Sequence, residues 1–548
     1  MDRRKFLLNT LKMGMAPVAM QGLPFRSMTS SMIPASACDV SDRCMVIVYL
    51  NGGNDILNTT VPLNQMSAYV NARPTLNIPQ SQLITLDSSL PDAQQMGLHP
   101  NLTGLKSIYD GGKLSIVQRV SYPVPNRSHF ASTDNMLRGV DGVTQDAEGW
   151  IARYFKDRFP NYKGAPTSQN PDPLGLLFNA PNTGFHTEAE HAWGLNLTDQ
   201  DPGGFFSLVT SLSGAPILNF PASEYGDMLQ YLTSVEYSSN FYSERISNVF
   251  NNGSNAISYA NNNFLNPALK TVARLISGGS RTKIFMVQHS GYDTHVFQAQ
   301  THNNLLGMLG SSLQTFQNDL QALGIADQVM TVVFSEFGRK IIENGNQGTD
   351  HGTLSSMFMV GNGVNPGVIG DNINLSNIDE QGAPDPSDLE NDYRKVLATL
   401  LQDWLGANTN SIQATFHNSQ FVADKPDIVN TNFKADASCY VEPEPAQLEV
   451  CEGTSPKYQI IDENGNCIEV DCLDDIPNGQ DFVVLDDNAY LTPLDEPKIF
   501  AKDSIRAEGN LDNMISGKLQ MKAGKSVRLG KGFRSNGRKI EVRIKECN

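Results

Sequence analysis

Five apolar runs constrain this chain more than anything else in it. They are Met45–Leu50 (MVIVYL), Lys113–Val120 (KLSIVQRV), Ile284–Val287 (IFMV), Val329–Phe334 (VMTVVF) and Ser356–Val360 (SMFMV). They are rich in β-branched and aromatic residues and mostly continuous rather than alternating, the pattern of strands covered on both faces of a sheet. Helical periods lie between them. Over 304–323, Leu305, Leu306, Leu309, Leu313, Phe316, Leu320 and Leu323 recur mostly at three- and four-residue steps, and Gly324 stops the run. Val396, Leu397, Leu400, Leu401 and Leu405 repeat the pattern over 392–405, ended by Gly406. Strand and helix alternating in this way predict an α/β fold with a mainly parallel, doubly wound sheet.

Composition narrows the class. Of 548 residues 40% are hydrophobic, enough for a large core and too many for a wholly disordered chain. No run approaches the roughly 20 apolar residues of a membrane-spanning helix, so a multi-span membrane protein is excluded. The formal net charge of −17 argues against nucleic acid as a partner. That charge is unevenly spread. Residues 1–37 hold five bases and one acid, 435–496 hold one base and 16 acids, and 497–548 hold 13 bases and five acids. These shifts predict four parts: a leader (1–37), an α/β body (38–434), an acidic connector (435–496) and a small basic module (497–548).

The leader reads as a twin-arginine export signal. Arg3 and Arg4 precede apolar residues, and Ala35-Ser36-Ala37 supplies a small-x-small cleavage site. The expected destination is the periplasm, the cell surface or the medium, with no membrane span after processing. Cys38 directly after the cleavage site also raises a lipoprotein as an alternative. Lipidation there would leave six of the seven cysteines for disulfides.

Polar clusters sit where chemistry is expected in such a sheet, just after strands. Asn51-Gly52-Gly53-Asn54-Asp55 follows the first run, and Asn126-Arg127-Ser128-His129-Phe130 follows the second. His289-Ser290-Gly291-Tyr292-Asp293-Thr294-His295 and Ser335-Glu336-Phe337-Gly338-Arg339 follow the next two. One cluster, Gly348-Thr349-Asp350-His351-Gly352, precedes its strand instead. Asp and His are oxygen and nitrogen donors for divalent metals such as Zn or Mn. Asp293 and His295, two apart, can face one ion from a turn. Asp350 and His351 are adjacent, so in an extended loop they point to opposite sides and can serve two neighbouring ions.

The ordered set Asn51–Asp55, Arg73-Pro74, Leu98-His99-Pro100, Arg127-Ser128-His129-Phe130, Gly149-Trp150, Gly291–His295, Ser335–Arg339 and Thr349–Gly352 resembles the family called domain of unknown function 1501, over residues 40–420. That family resembles the alkaline phosphatase/sulfatase-like superfamily. The resemblance implies an alkaline phosphatase-like α/β fold and divalent metal (Zn, Mn or Ca). The implied ligands are Asp293, His295, Asp350 and His351, with Asp55 as a further one. It implies a metal-dependent hydrolase acting on an anionic ester, phosphate or sulfate, or on a glycan. Arg127, Arg339 and Asn54 would hold the substrate, and Ser128, His129 and Glu336 would act on it. Ser128 or a metal-activated water is the expected nucleophile. The alternative is a non-catalytic cell-surface binding or structural protein on the same fold, favoured by Asn51 where phosphatases carry Asp.

The tail, Ser504–Ile544, is similar to the small repeated β module called the three-coathanger stack, which implies association with the cell envelope. Val527 and Leu529, then Ile540, Val542 and Ile544, alternate as short strands. Before it, Tyr458–Asp462, the turn Asn464-Gly465 and Cys467–Val470 predict a hairpin. The acids at Asp462–Asn466 offer an oxygen-rich calcium candidate.

Overall fold

In the computed structural model, residues 40–160, 162, 164, 170–187, 193–197 and 242–436 are described, with the backbone of eight strands between 459 and 544. The leader, Cys38 and the Asp462–Asn466 turn lie outside the described residues. No helix among the described residues is long and apolar enough to cross a membrane.

A nine-stranded sheet forms the centre. Its strands in chain order are β1 (Cys44–Asn51), β2 (Leu114–Ser121), β3 (Gly175–Phe178), β4 (Gly194–Asn196), β5 (Ile284–Ser290), β6 (Val329–Ser335), β7 (Ser355–Val360), β8 (Gly367–Ile369) and β9 (Asn391–Asp392). They lie in the order β8-β2-β7-β6-β1-β5-β3-β4, with β9 also paired to β2. Each of the five apolar runs is a strand of this sheet, and β1, β6 and β7 are buried along nearly their whole length. That burial explains why their apolar residues do not alternate.

β1 is parallel to both neighbours, with Asn51 beside Ser290 of β5 and Leu50 beside Ser335 of β6. β7 is the exception. It runs antiparallel to both β6 and β2, and its first residue, Ser355, lies opposite Val120 near the end of β2. The start of β7 therefore lies on the same sheet edge as the ends of its neighbours. Asp350 and His351, which precede a strand in sequence, thereby join the clusters that follow strands.

The helices follow the expected periods with shifted limits. The helix expected over 304–323 begins earlier, as Gln298–Ala322, and the one expected over 392–405 runs α-helical from Tyr393 to Thr399 and then as a π-segment over Leu400–Trp404. A shorter helix, His129–Arg138, starts directly on the histidine of the second cluster, with Ser128 as its N-cap.

In the C-terminal region, Gln459–Ile461 and Cys467–Glu469 pair antiparallel as a hairpin. Two three-stranded parallel sheets follow, one of Phe482–Leu485, Ser504–Ala507 and Ser526–Leu529, the other of Lys498–Ala501, Leu519–Ala523 and Ile540–Ile544.

Candidate metal centre

The turn after β1 sets the floor of the site. Gly52 and Gly53 have φ of +119° and +70°, values side chains rarely adopt. A Cβ on Gly52 would stand 2.4 Å from the Asp293 nitrogen, so the β1 and β5 loops meet at a distance only glycine allows. The Gly52 N–H donates to Glu336 Oε1 at 2.9 Å, tying in the end of β6.

Four side chains converge above this turn. Asp293 Oδ1 lies 3.0 Å from His295 Nε2, 3.2 Å from His351 Nε2 and 3.2 Å from His129 Nε2. The His295 and His351 Nε2 atoms are 2.9 Å apart. His129, Asp293 and His351 satisfy the spacing of a group that can hold one metal ion.

The opposite nitrogens decide what these Nε2 atoms are. His129 Nδ1 lies 2.7 Å from Glu336 Oε1, His295 Nδ1 3.1 Å from Asp350 Oδ1, and His351 Nδ1 2.7 Å from the Arg127 carbonyl. All three partners are oxygens that only accept, so each Nδ1 carries the proton and donates. In the neutral rings, three Nε2 lone pairs then face a carboxylate oxygen and one another. Lone pairs gathered in this way repel unless a cation sits among them. His129 Nε2 is moreover buried with no hydrogen-bond partner, its approach to Asp293 being off the line of a hydrogen bond. An imidazole held through Nδ1 by a carboxylate or carbonyl, with Nε2 free, is the arrangement of a metal-ligating histidine.

The surrounding charges favour ligation at Asp293 and His351 and protonation at His129. Burial pushes the Asp293 carboxyl up, but the Arg339 hydrogen bond and charge, with His129 and His295, hold it well below the usual range. His351 is lowered chiefly by burial, which favours the neutral, ligating ring. His129 is raised, first by its hydrogen bond to Glu336.

The other expected site residues fall elsewhere. Asp55 is fully buried and paired with Arg73 Nη1 at 2.6 Å, while Gln298 donates to the same carboxylate oxygen. Asp350 stands behind His295 rather than beside its Nε2, and also accepts from Asn344 at 3.0 Å. Arg339 is fully buried, and its guanidinium donates to the carbonyls of Gly52, Gly53, Tyr292 and Thr349 and to Asp293. It therefore serves as a clamp on three loops, with no donor turned to solvent for a substrate. Asn54 is buried among Ser335, Thr59 and His302. Arg127 pairs with Asp379 and reaches Gln381 Oε1 at 2.7 Å. Ser128 is exposed and makes no side-chain cap bond to its helix. Glu336 is enclosed, accepting from Gly52, His129 and Ser335.

No local signal joins Arg73, Gln298 and Thr349 into one buried chain, in which Thr349 Oγ1 donates to Gln298 Oε1 at 2.6 Å. Nor does one single out Asn344, whose side chain steadies both Asp350 and the His295 carbonyl. The Asn344–Gly348 run, a turn signal, marked that segment without revealing its target.

Residues 251–407 match the family described as protein of unknown function (DUF1501). A search of curated proteins finds no match. Among solved structures, the chain is similar to the lipoteichoic acid synthase LtaP from Listeria monocytogenes (9% identity, TM-score 0.27, covering 60% of this chain and 67% of that one). It is also similar to the soluble domain of lipooligosaccharide phosphoethanolamine transferase A from Neisseria meningitidis (11%, TM-score 0.27, 58% and 77%). A third is a mutant of TAB5 alkaline phosphatase (9%, TM-score 0.26, 58% and 90%).

Proposed function

We propose that this DUF1501-matching chain is an exported, metal-dependent hydrolase of phosphate or sulfate esters. One observation carries the reading: three imidazole Nε2 atoms and Asp293 Oδ1 converge at the carboxyl edge of the sheet, each imidazole steadied through Nδ1 by an oxygen. A divalent ion bound there supplies Lewis-acid activation of an ester oxygen or a water.

The chain's own residues have distinct tasks in this reading. Glu336 and Asp350 orient His129 and His295. Arg339 holds the Asp293 carboxylate and joins its loop to the Gly52-Gly53 turn. Ser128, exposed and next to His129 in the chain, is the candidate nucleophile. Of the two candidate arginines, Arg127 is the one an anionic substrate can reach, by competing with Asp379 at the rim. The twin-arginine leader places this chemistry outside the cytoplasm, and the C-terminal strands form a module for envelope attachment.

A second reading, a non-catalytic binding protein on the same fold, is favoured by Arg339, whose donors are spent on the scaffold. A panel of aryl phosphates and sulfates, assayed on purified protein with Zn, Mn and Ca in turn, separates the two. Turnover that disappears in Asp293→Ala supports the hydrolase. Stoichiometric metal with no turnover of any ester supports the binding protein.

A further inference from the structure

The carboxylates around the centre bear on how many ions it takes. We infer that the chain holds one divalent ion per molecule, of the borderline class that zinc represents, on His129, Asp293 and His351, and that the Arg73 guanidinium stands in for a second cation at Asp55. Ligand atoms around one tetrahedral ion, with bonds of about 2.0–2.1 Å, lie about 3.3 Å apart. Asp293 Oδ1 stands 3.2 Å from the Nε2 atoms of both His129 and His351, close to two edges of one such polyhedron. Two nitrogens and one oxygen suit a borderline ion, whereas calcium and magnesium take mainly oxygen.

A second ion about 3.5–4 Å away would need carboxylates of its own. Those expected to supply them are engaged. Asp350 is held by His295, Asn344 and, at 3.4 Å, Lys340. Both oxygens of Glu336 accept hydrogen bonds. Asp55 lies 2.6 Å from the Arg73 guanidinium, with both side chains fully enclosed. Its Oδ1 is buried without a hydrogen-bond partner, but the adjacent guanidinium already balances the carboxylate. Arg73 is in turn pinned by its bonds to the Ile341 and Lys340 carbonyls, at 3.0 and 2.7 Å, and to Asn58. Its charge is therefore a fixed part of the fold.

The inference goes beyond ester hydrolysis and is tested by bound metal, so it stands or falls apart from that reading. Metal-stripped full-length protein is reloaded with zinc, passed through gel filtration and assayed by elemental analysis. A parallel sample is loaded with cobalt(II) for its visible spectrum. One equivalent of zinc, not displaced by excess calcium or magnesium, and a tetrahedral cobalt spectrum are expected. His129→Ala and His351→Ala should each lose retained zinc and alter that spectrum, while Asp350→Asn keeps one equivalent. Asp55→Asn should also keep one equivalent; if it does not fold, the wild-type count and Asp350→Asn still decide. Two equivalents in the wild type, no retained zinc, or full retention in His129→Ala would each overturn the inference.

Discussion

His295 and His351 face each other through their Nε2 atoms at 2.9 Å, while the Nδ1 of each ring is turned to an oxygen. An ion on His351 relieves that opposition. Zinc at a hundredfold excess over its dissociation constant should stabilise the fold by about 2.7 kcal/mol. Thermal melting with and without metal measures this. A chelator should reverse the shift, and Asp293→Ala should abolish it.

Glu336 holds His129 at 2.7 Å through Nδ1. Glu336→Gln should weaken metal affinity by roughly 10–100-fold, as for other groups that orient a ligating histidine. Competition with a chromogenic chelator reads this directly, and an unchanged constant would remove Glu336 from the site. Protons compete with metal at Nε2, and the Glu336 hydrogen bond raises the His129 ring. Wild-type affinity should therefore fall on acidification, starting above the ordinary histidine range, and less so in Glu336→Gln.

Arg339 is fully buried and bonds carbonyls of three loops as well as Asp293. Arg339→Met leaves those acceptors and the carboxylate unmatched, and should cost about 3–5 kcal/mol in urea unfolding. Arg339→Lys should rescue little, because an ammonium cannot span the same fork of acceptors. A loss under about 1 kcal/mol would show that the clamp is dispensable.

Burial lowers His289 and His302 to about 4 each. The unfolded chain takes up these protons near pH 6.5, whereas the folded chain resists until about pH 4. Stability is thus complete above about 6.5 and should drain away as pH falls toward 4, by ~3 kcal/mol per histidine. Urea midpoints across that window measure the slope, and His289→Gln should flatten it.

Gly52 has φ +119°, with the Asp293 nitrogen 2.4 Å from where a Cβ would be. Gly52→Ala should destabilise by more than about 1 kcal/mol and weaken zinc binding, because the new methyl group pushes on the Asp293 loop. Equilibrium unfolding and metal titration of the variant check both effects.

Some of this was legible in the chain. The apolar runs marked five strands of the sheet because their burial on both faces demands continuous apolar residues. Gly52, Asp293, His295 and His351 drew notice as polar clusters at strand ends. Asp55 and Arg339 looked equally functional in sequence, since nothing local distinguishes a carboxylate that meets a metal from one that meets Arg73. Both answers depend on partners far along the chain: Arg73 is 18 residues from Asp55, and Gly53 is 286 from Arg339.

The sequence by itself determined five strands of the sheet, two of the helices, the candidate donors and the uneven charge along the chain, because periodicity and composition are local properties. Only the tertiary structure decided the direction of β7, and with it the placement of Asp350 and His351 on the shared edge. It also decided which nitrogen of each imidazole is free. That choice follows from which oxygen lies behind the ring, and packing, rather than chain order, puts those oxygens there.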